Sequence, residues 1–183
     1  MKYYAHSSPE ESKADWQLLS SHLQKVGELA AQKSSHFGGQ GLAEISGLLH
    51  DLGKYCAEFQ ARLEGSPKKV DHATWGARIA LEKYGPNVGH LLAYGIAGHH
   101  AGLADGAEEV SGQAITSLAG RLQAEPATQL DPIWKDEIAL PGSPSLPGLT
   151  LDPKNRSYGL FQLSVLGRML YSCLVDADFI DTD

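Results

Sequence analysis

Cysteine is nearly absent from this chain: its 183 residues carry two, Cys56 and Cys173, each among apolar neighbours. That excludes a disulfide framework and a zinc ribbon, and it fits buried free thiols in a reducing compartment. Strand-like runs of Val, Ile and Thr are scarce while Leu and Ala are frequent, so the composition leans helical. No stretch reaches the apolar length of a membrane span, and Met1-Lys2-Tyr3-Tyr4-Ala5-His6 lacks a signal-peptide core. A cytoplasmic protein without a membrane partner is the expectation. Positive charge is short as well: 15 Lys and Arg against 22 Asp and Glu leave a formal charge of −7. A generic nucleic-acid coat would be basic. An enzyme that meets phosphate through bound divalent cations is not excluded, because the ions supply the charge. Internal repeats, low-complexity tracts and a Gly-x-x-x-x-Gly-Lys-Ser/Thr phosphate loop are all missing.

What is present reads as punctuated helix, of a length that suits one domain over 1–183. Ser8-Pro9-Glu10-Glu11 has the form of a helix start, with Ser12 followed by Asp15 as a competing one. Trp16, Leu19, Leu23, Val26 and Ala30 then recur at helical spacing, with His22 on the same inward face. Gly38-Gly39-Gln40-Gly41 breaks the chain. A second helix covers about 42–51 and stops at Gly53, and a third runs over about 54–63 to the Gly65-Ser66-Pro67 break. Asp71 caps a fourth that reaches Tyr84 and is closed by Gly85-Pro86. Asn87 caps a fifth over about 88–99, which delivers His99-His100 at its end. A sixth is expected over about 113–124. Six prolines between 126 and 155 predict an irregular segment with at most a short helix near 132–138. A segment of that kind is often a functional flap. The last helix, about 157–180, is strongly apolar and expected to be central to the core. The architecture is an all-α bundle of six or seven helices.

Leu48-Leu49-His50-Asp51-Leu52-Gly53-Lys54 is the hub of the chain's polar chemistry. In a chain with this His and Asp content, chance supplies about 0.5 His-Asp pairs, so the dipeptide alone means little. Its company matters more. His22 lies mid-helix, His72 in a first turn and His99-His100 at a helix end. Asp178 continues the row Leu166, Leu170, Leu174 into an apolar helix, with Asp176 as the alternative acid. Singly, each has an ordinary reading: a hydrogen-bonded core histidine, imidazoles at a helix C-terminus, a capping acid. His6, His36 and His90 fall outside the set and read as surface or structural. Together, imidazoles and carboxylates in this order suit transition metals over Ca. Six or seven such ligands exceed the needs of one ion and suit two ions sharing a bridging carboxylate, for which Asp51 is the natural choice. Two ions so placed grip a phosphodiester and lower the pKa of a water between them. Lys54 would neutralise charge building on the phosphate oxygens.

These residues resemble the HD superfamily of metal-dependent phosphohydrolases. More narrowly, they are similar to the HD nuclease domain of the CRISPR-associated helicase–nuclease of type I systems. Tyr4-Ala5-His6-Ser7, Trp16-x-x-Leu19-x-x-His22-Leu23, the Gly47–Tyr55 stretch around His50-Asp51, and Phe59-Gln60 carry the likeness. So do Val70-Asp71-His72-Ala73-x-x-Gly76-Ala77, Gly98-His99-His100-Ala101-Gly102-Leu103 and Leu174-Val175-Asp176-Ala177-Asp178-Phe179. The resemblance implies an HD-domain helical bundle acting as an endonuclease and 3′-to-5′ exonuclease on single-stranded DNA in antiviral defence. It implies a helicase domain or subunit and an RNA-guided surveillance complex as partners. It also implies two divalent ions, foremost Mn, Fe, Ni or Co, with Mg or Zn as alternatives. By analogy His22, His50, Asp51 and Asp178 hold one ion, and Asp51, His72, His99 and His100 the other. Asp178 is preferred to Asp176 because the family's acid sits in an Ala-Asp pair before an apolar or aromatic residue. Without a helicase motif, the chain reads as a stand-alone subunit or as the amino-terminal part of a longer fusion. The competing readings are an HD nucleotidase or cyclic-dinucleotide phosphodiesterase, and a non-catalytic HD module that docks a helicase.

Overall fold

The structure, a computed structural model, describes residues 2–8, 13–104, 117–149 and 154–182. Among these the fold is all-α, with a single two-stranded hairpin. Eight α-helices follow one another: α1 (Leu19–Lys33), α2 (Gln40–Leu49), α3 (Ala57–Leu63), α4 (Ala73–Tyr84), α5 (His90–Gly98), α6 (Leu118–Gln123), α7 (Trp134–Glu137) and α8 (Arg156–Thr182). The helix starts read around Pro9–Ser12, the onset of the sixth helix at 113–116, and most of the loop before it lie outside the described residues.

Helix α1 opens later than the Trp16 periodicity predicts. Strands β1 (Tyr4–His6) and β2 (Gln17–Leu18) pair antiparallel, with Tyr4 opposite Leu18 and His6 opposite Gln17. Leu18 is extended, and the Leu19 N–H donates to Tyr3 O at 2.9 Å, so hairpin pairing competes with the first turn and wins. Trp16 stacks edge-on against Tyr4 instead of facing the helix core (centroids 5.4 Å apart). The side-chain amide of Gln60 on α3 then binds the strand, accepting from Tyr4 N and donating to Tyr4 O, both at 3.0 Å.

The centre of the bundle is formed by α2 and α5. On α2, Leu42, Ala43, Ile45, Ser46, Gly47, Leu48 and Leu49 are buried, and on α5, Leu92, Ala93, Gly95, Ile96, Ala97 and Gly98. Helices α1 and α4 pack along α2 and α5, and α8 crosses α1, α2 and α5. The expectation that the last helix is central needs correction. Only Gly159, Leu166, Leu170, Leu174 and Ala177 of α8 are buried. Tyr158, Leu160, Phe161, Val165, Met169, Phe179 and Ile180 are exposed. Composition shows that a helix is apolar on several sides; the number of neighbours decides how many sides are covered.

Helix α5 also begins later than read, because 85–89 forms a π-type turn between α4 and α5. The described part of the proline-rich stretch, 126–149 and 154–155, is irregular apart from α7, yet it is tied down firmly. Trp134 and Ile138 are buried in the core. Tyr3 Oη donates to Asp131 at 2.7 Å, Tyr55 Oη to Glu137 at 2.7 Å, and Tyr84 Oη to Pro141 O at 2.9 Å. Its described part is a strap laced onto the bundle.

One close approach brings α4 against the end of α2. A Cβ built on Gly76 lies 1.8 Å from Leu49 O, nearer than any side chain tolerates, so only glycine fits. Gly76→Ala must push α4 away from the turn that follows Leu49, and is expected to lower unfolding stability by about 2–3 kcal/mol in urea titration. An unchanged midpoint would show that the two helices are not held at this distance.

Candidate metal centre

Helix α2 ends at Leu49, and His50 and Asp51 follow before a 3₁₀ turn at Leu52–Lys54. Both side chains are buried, at 0% and 1% exposure. The Gly53 N–H donates to His72 O at 3.0 Å, and a Cβ on Gly53 would stand 2.2 Å from that oxygen. Glycine at 53 therefore lets the turn touch the backbone of His72, at the threshold of α4. His99 and His100 arrive from the end of α5, Asp178 from the last turns of α8, and His22 from the first turn of α1, not mid-helix as its spacing predicts, because α1 opens late.

The imidazoles are oriented alike. His50 Nδ1 donates to Gly47 O at 2.8 Å and His99 Nδ1 to Ile96 O at 2.7 Å, so each ring folds back on the last turn of its own helix. His72 Nδ1 faces Val70 O at 3.4 Å, and His22 Nδ1 meets Asp181 Oδ2 at 2.7 Å. A carbonyl or carboxylate only accepts, so each Nδ1 carries a proton and each ring turns its Nε2 inward. Metal-binding histidines are held by the same device.

All four Nε2 atoms converge on Asp51, and the two carboxylate oxygens divide them. Oδ1 lies 3.3 Å from His72 Nε2 and 3.3 Å from His99 Nε2. Oδ2 lies 3.6 Å from His22 Nε2 and 3.5 Å from His50 Nε2. Asp178 Oδ1 is 3.4 Å from both His22 and His50 Nε2, whereas Asp176 turns away and pairs with Lys33 at 2.5 Å. His100 stacks on His99 with centroids 4.0 Å apart. Lys54, read as facing phosphate, is buried: its ammonium is 2.5 Å from Asp51 Oδ2 and donates to Ala5 O at 3.0 Å.

Charge and burial pull these groups in different directions. Burial pushes the Asp51 carboxyl up, but the Lys54 ammonium and the imidazoles around it hold it well below the usual carboxylate range. Burial likewise raises Asp178, and His50 with His22 brings it down to about 2. Burial takes His72 down to about 4 against the pull of Asp51, and burial with the neighbouring His99 lowers His100. His99 is lowered by burial, yet Asp51 raises it on balance.

The donor set fits divalent ions. Asp51 Oδ1, His72 Nε2 and His99 Nε2 are buried without a hydrogen-bond partner. Buried polar atoms left so are rare and costly unless something binds them. His22 Nε2 and His50 Nε2 face each other at 3.3 Å, a contact that a proton or a bound ion between them satisfies. Asp51 with His72, His99 and His100 forms one group able to hold an ion. His22, His50 and Asp51 form a second, and His50, His99 and Asp178 a third that overlaps both.

Two residues beside the centre escaped the sequence reading. Asp181 orients His22, and its signal was available: it follows Asp178 by three residues, on the same face of α8. His6, read as surface or structural, lies edge-on to His22 with centroids 4.9 Å apart, and burial together with Lys54 and His22 lowers it to about 4. Its neighbour in space comes from hairpin pairing, which spacing does not show. Of the remaining histidines, His36 is exposed and His90 lies against Tyr94.

Protein purified without chelator is expected to carry a divalent transition metal by elemental analysis. Asp51→Asn should lower its content at least about tenfold, while His36→Ala leaves it unchanged. Equal content in all three would remove the metal assignment.

The HD domain family profile matches residues 19–135, from the first residue of α1 into α7. The match takes in His22, His50, Asp51, His72, His99 and His100, and leaves Asp178 and Asp181 beyond its end. A search of curated proteins gives no match. A family match over more than half the chain, meeting a buried carboxylate ringed by inward-aimed imidazoles, places this chain in the HD domain family of metal-dependent phosphohydrolases.

Proposed function

We propose that this hydrolase is a nuclease that cleaves single-stranded DNA, of the branch that serves CRISPR interference. His22, His50, Asp51 and Asp178 would hold one divalent ion, and Asp51, His72, His99 and His100 the other. The observation that carries the reading is the division of Asp51: one oxygen faces His22 and His50, the other His72 and His99. Ions bound there supply positive charge to a phosphodiester and lower the pKa of a nearby water. The rest falls to the chain's own residues. Backbone carbonyls and Asp181 keep the four Nδ1 protons outward, so the Nε2 atoms need no reorganisation. Asp51 stays ionised because Lys54 and the imidazoles outweigh its burial, and His72 and His100 stay neutral near pH 7 because burial lowers them.

Support for nucleic acid as the substrate, over a small nucleotide, comes from two features of the sequence. His22 on the first helix and the Gly98-His99-His100-Ala101-Gly102-Leu103 element are shared with that nuclease branch and not with the bare HD pattern. The structure brings both onto the same carboxylate. With a formal charge of −7 the chain has no basic surplus of its own, so bound ions take on much of the attraction to phosphate. The same resemblance supports a helicase partner that feeds the strand and an RNA-guided complex acting before it.

Incubation with circular single-stranded DNA and Mn²⁺ or Ni²⁺ is expected to give linear and then shortened products. His50→Ala and Asp51→Ala should each reduce the rate at least about 100-fold. Full activity in both variants overturns the assignment. Turnover of nucleoside monophosphates or cyclic dinucleotides with none on DNA transfers it to a phosphodiesterase with a small-molecule substrate.

A further inference from the structure

The imidazoles of the centre are not held equally. His50 and His99 are turned by short hydrogen bonds to their own helix ends, whereas His72 Nδ1 is 3.4 Å from Val70 O. His100 lies against the rings of His99 and His72, with centroids 4.0 and 5.0 Å away. Where His72 and His100 stand therefore depends on where α4 begins relative to the end of α5.

One side chain joins those two places. Arg121, on α6, donates from Nη1 to Ala97 O at 2.6 Å. Its Nη2 lies 3.3 Å from both Asp71 oxygens and donates to Thr74 Oγ1 at 2.8 Å. Its Nε donates to the same hydroxyl at 3.1 Å. Asp71 in turn caps α4, accepting from the Ala73 and Thr74 N–H groups at 3.0 and 3.1 Å. His72 stands between that aspartate and α4. At the other end, the last carbonyls of a helix have no partner within it. Those of α5 are taken up in order: Ile96 O by the His99 ring, Ala97 O by Arg121, and Gly98 O by the Ala101 and Gly102 N–H groups. Arg121 thus closes the helix end that carries His99 and His100 and grips the cap before His72. Its own base is fixed, because Arg78 of α4 donates to Arg121 O at 3.0 Å and to Ala124 O at the end of α6. The Asp71 side chain is 54% exposed, so the ion pair contributes little by charge. A guanidinium holds its donors in one rigid fork, which sets its partners at fixed separations; an ammonium has no such fork.

We propose that Arg121 is a positioning residue of the metal centre. It fixes the separation of His72 from His99 and His100, and so shapes the group of Asp51, His72, His99 and His100. The inference rests on the metal-centre reading and is independent of the nucleic-acid substrate.

The test is a calorimetric Mn²⁺ titration of the ion-free full chain, without DNA and well below its melting temperature, beside nitrogen NMR of the histidine rings. Arg121→Met is expected to weaken by at least about tenfold the Mn²⁺ binding that His72→Ala removes. In the ion-free protein its His72, His99 and His100 ring signals should move, while that of His22 stays within the line width. Arg121→Lys, which keeps the charge without the fork, should behave as Arg121→Met does, and it decides the matter should Arg121→Met not fold. Arg168→Met, on the exposed side of α8, should match wild type. A lower melting temperature with wild-type affinity and ring signals would make Arg121 a helix fastener only and overturns the proposal. Full recovery by lysine, or an equal shift of the His22 signal, overturns it too, while leaving a metal centre intact. Absence of Mn²⁺ binding in wild type, or binding that His72→Ala does not reduce, overturns the metal position itself and this inference with it.

Discussion

A carboxylate with 1% exposure sits at the middle of this protein, and much of the rest is arranged around keeping it charged. Isolated in an apolar interior, Asp51 would take up a proton. It does not, because one ammonium and four imidazole nitrogens lie within 3.6 Å of its oxygens. Those partners come from α1, the end of α2, the start of α4 and the end of α5, so each element must arrive at one point with one ring orientation.

The helices meet that demand mostly with backbone. His50 and His99 each follow the last residue of a helix and donate to a carbonyl three residues back, which turns the ring without help from any other side chain. His72 reaches the centre because Gly53 allows the turn after Asp51 to touch its backbone. His22, in the first turn of α1, takes its orientation instead from Asp181 on α8, 159 residues further along the chain. The small hairpin serves the same centre, since Ala5 O fixes Lys54 and Gln60 fixes the strand that carries Ala5.

Much of this could be read before folding. Helical spacing places His22 with Leu19, Leu23 and Val26, and the same four are buried together. The row from Leu166 through Leu174 puts Asp178 on the inward face, and Asp176, two residues earlier, is turned out by helix geometry. Other features were not legible. Trp16 fits the α1 period but lies outside the helix, because β1 competes for the same backbone groups. Helix α8 has the composition of a core helix and the environment of a surface one. Lys54 carries a charge that sequence alone would send to solvent, and only the hairpin and Phe59 reveal that it is enclosed.

The sequence alone determined an all-α architecture, the inward direction of His22 and Asp178, and the kind of ligand they supply, since helical periodicity and side-chain chemistry are local properties. Tertiary structure decided how Asp51 divides its oxygens, that Asp181 orients His22, and that Lys54 belongs to Asp51. Each of these joins residues far apart in the chain, and spacing along a chain holds no information about which distant helix ends will meet.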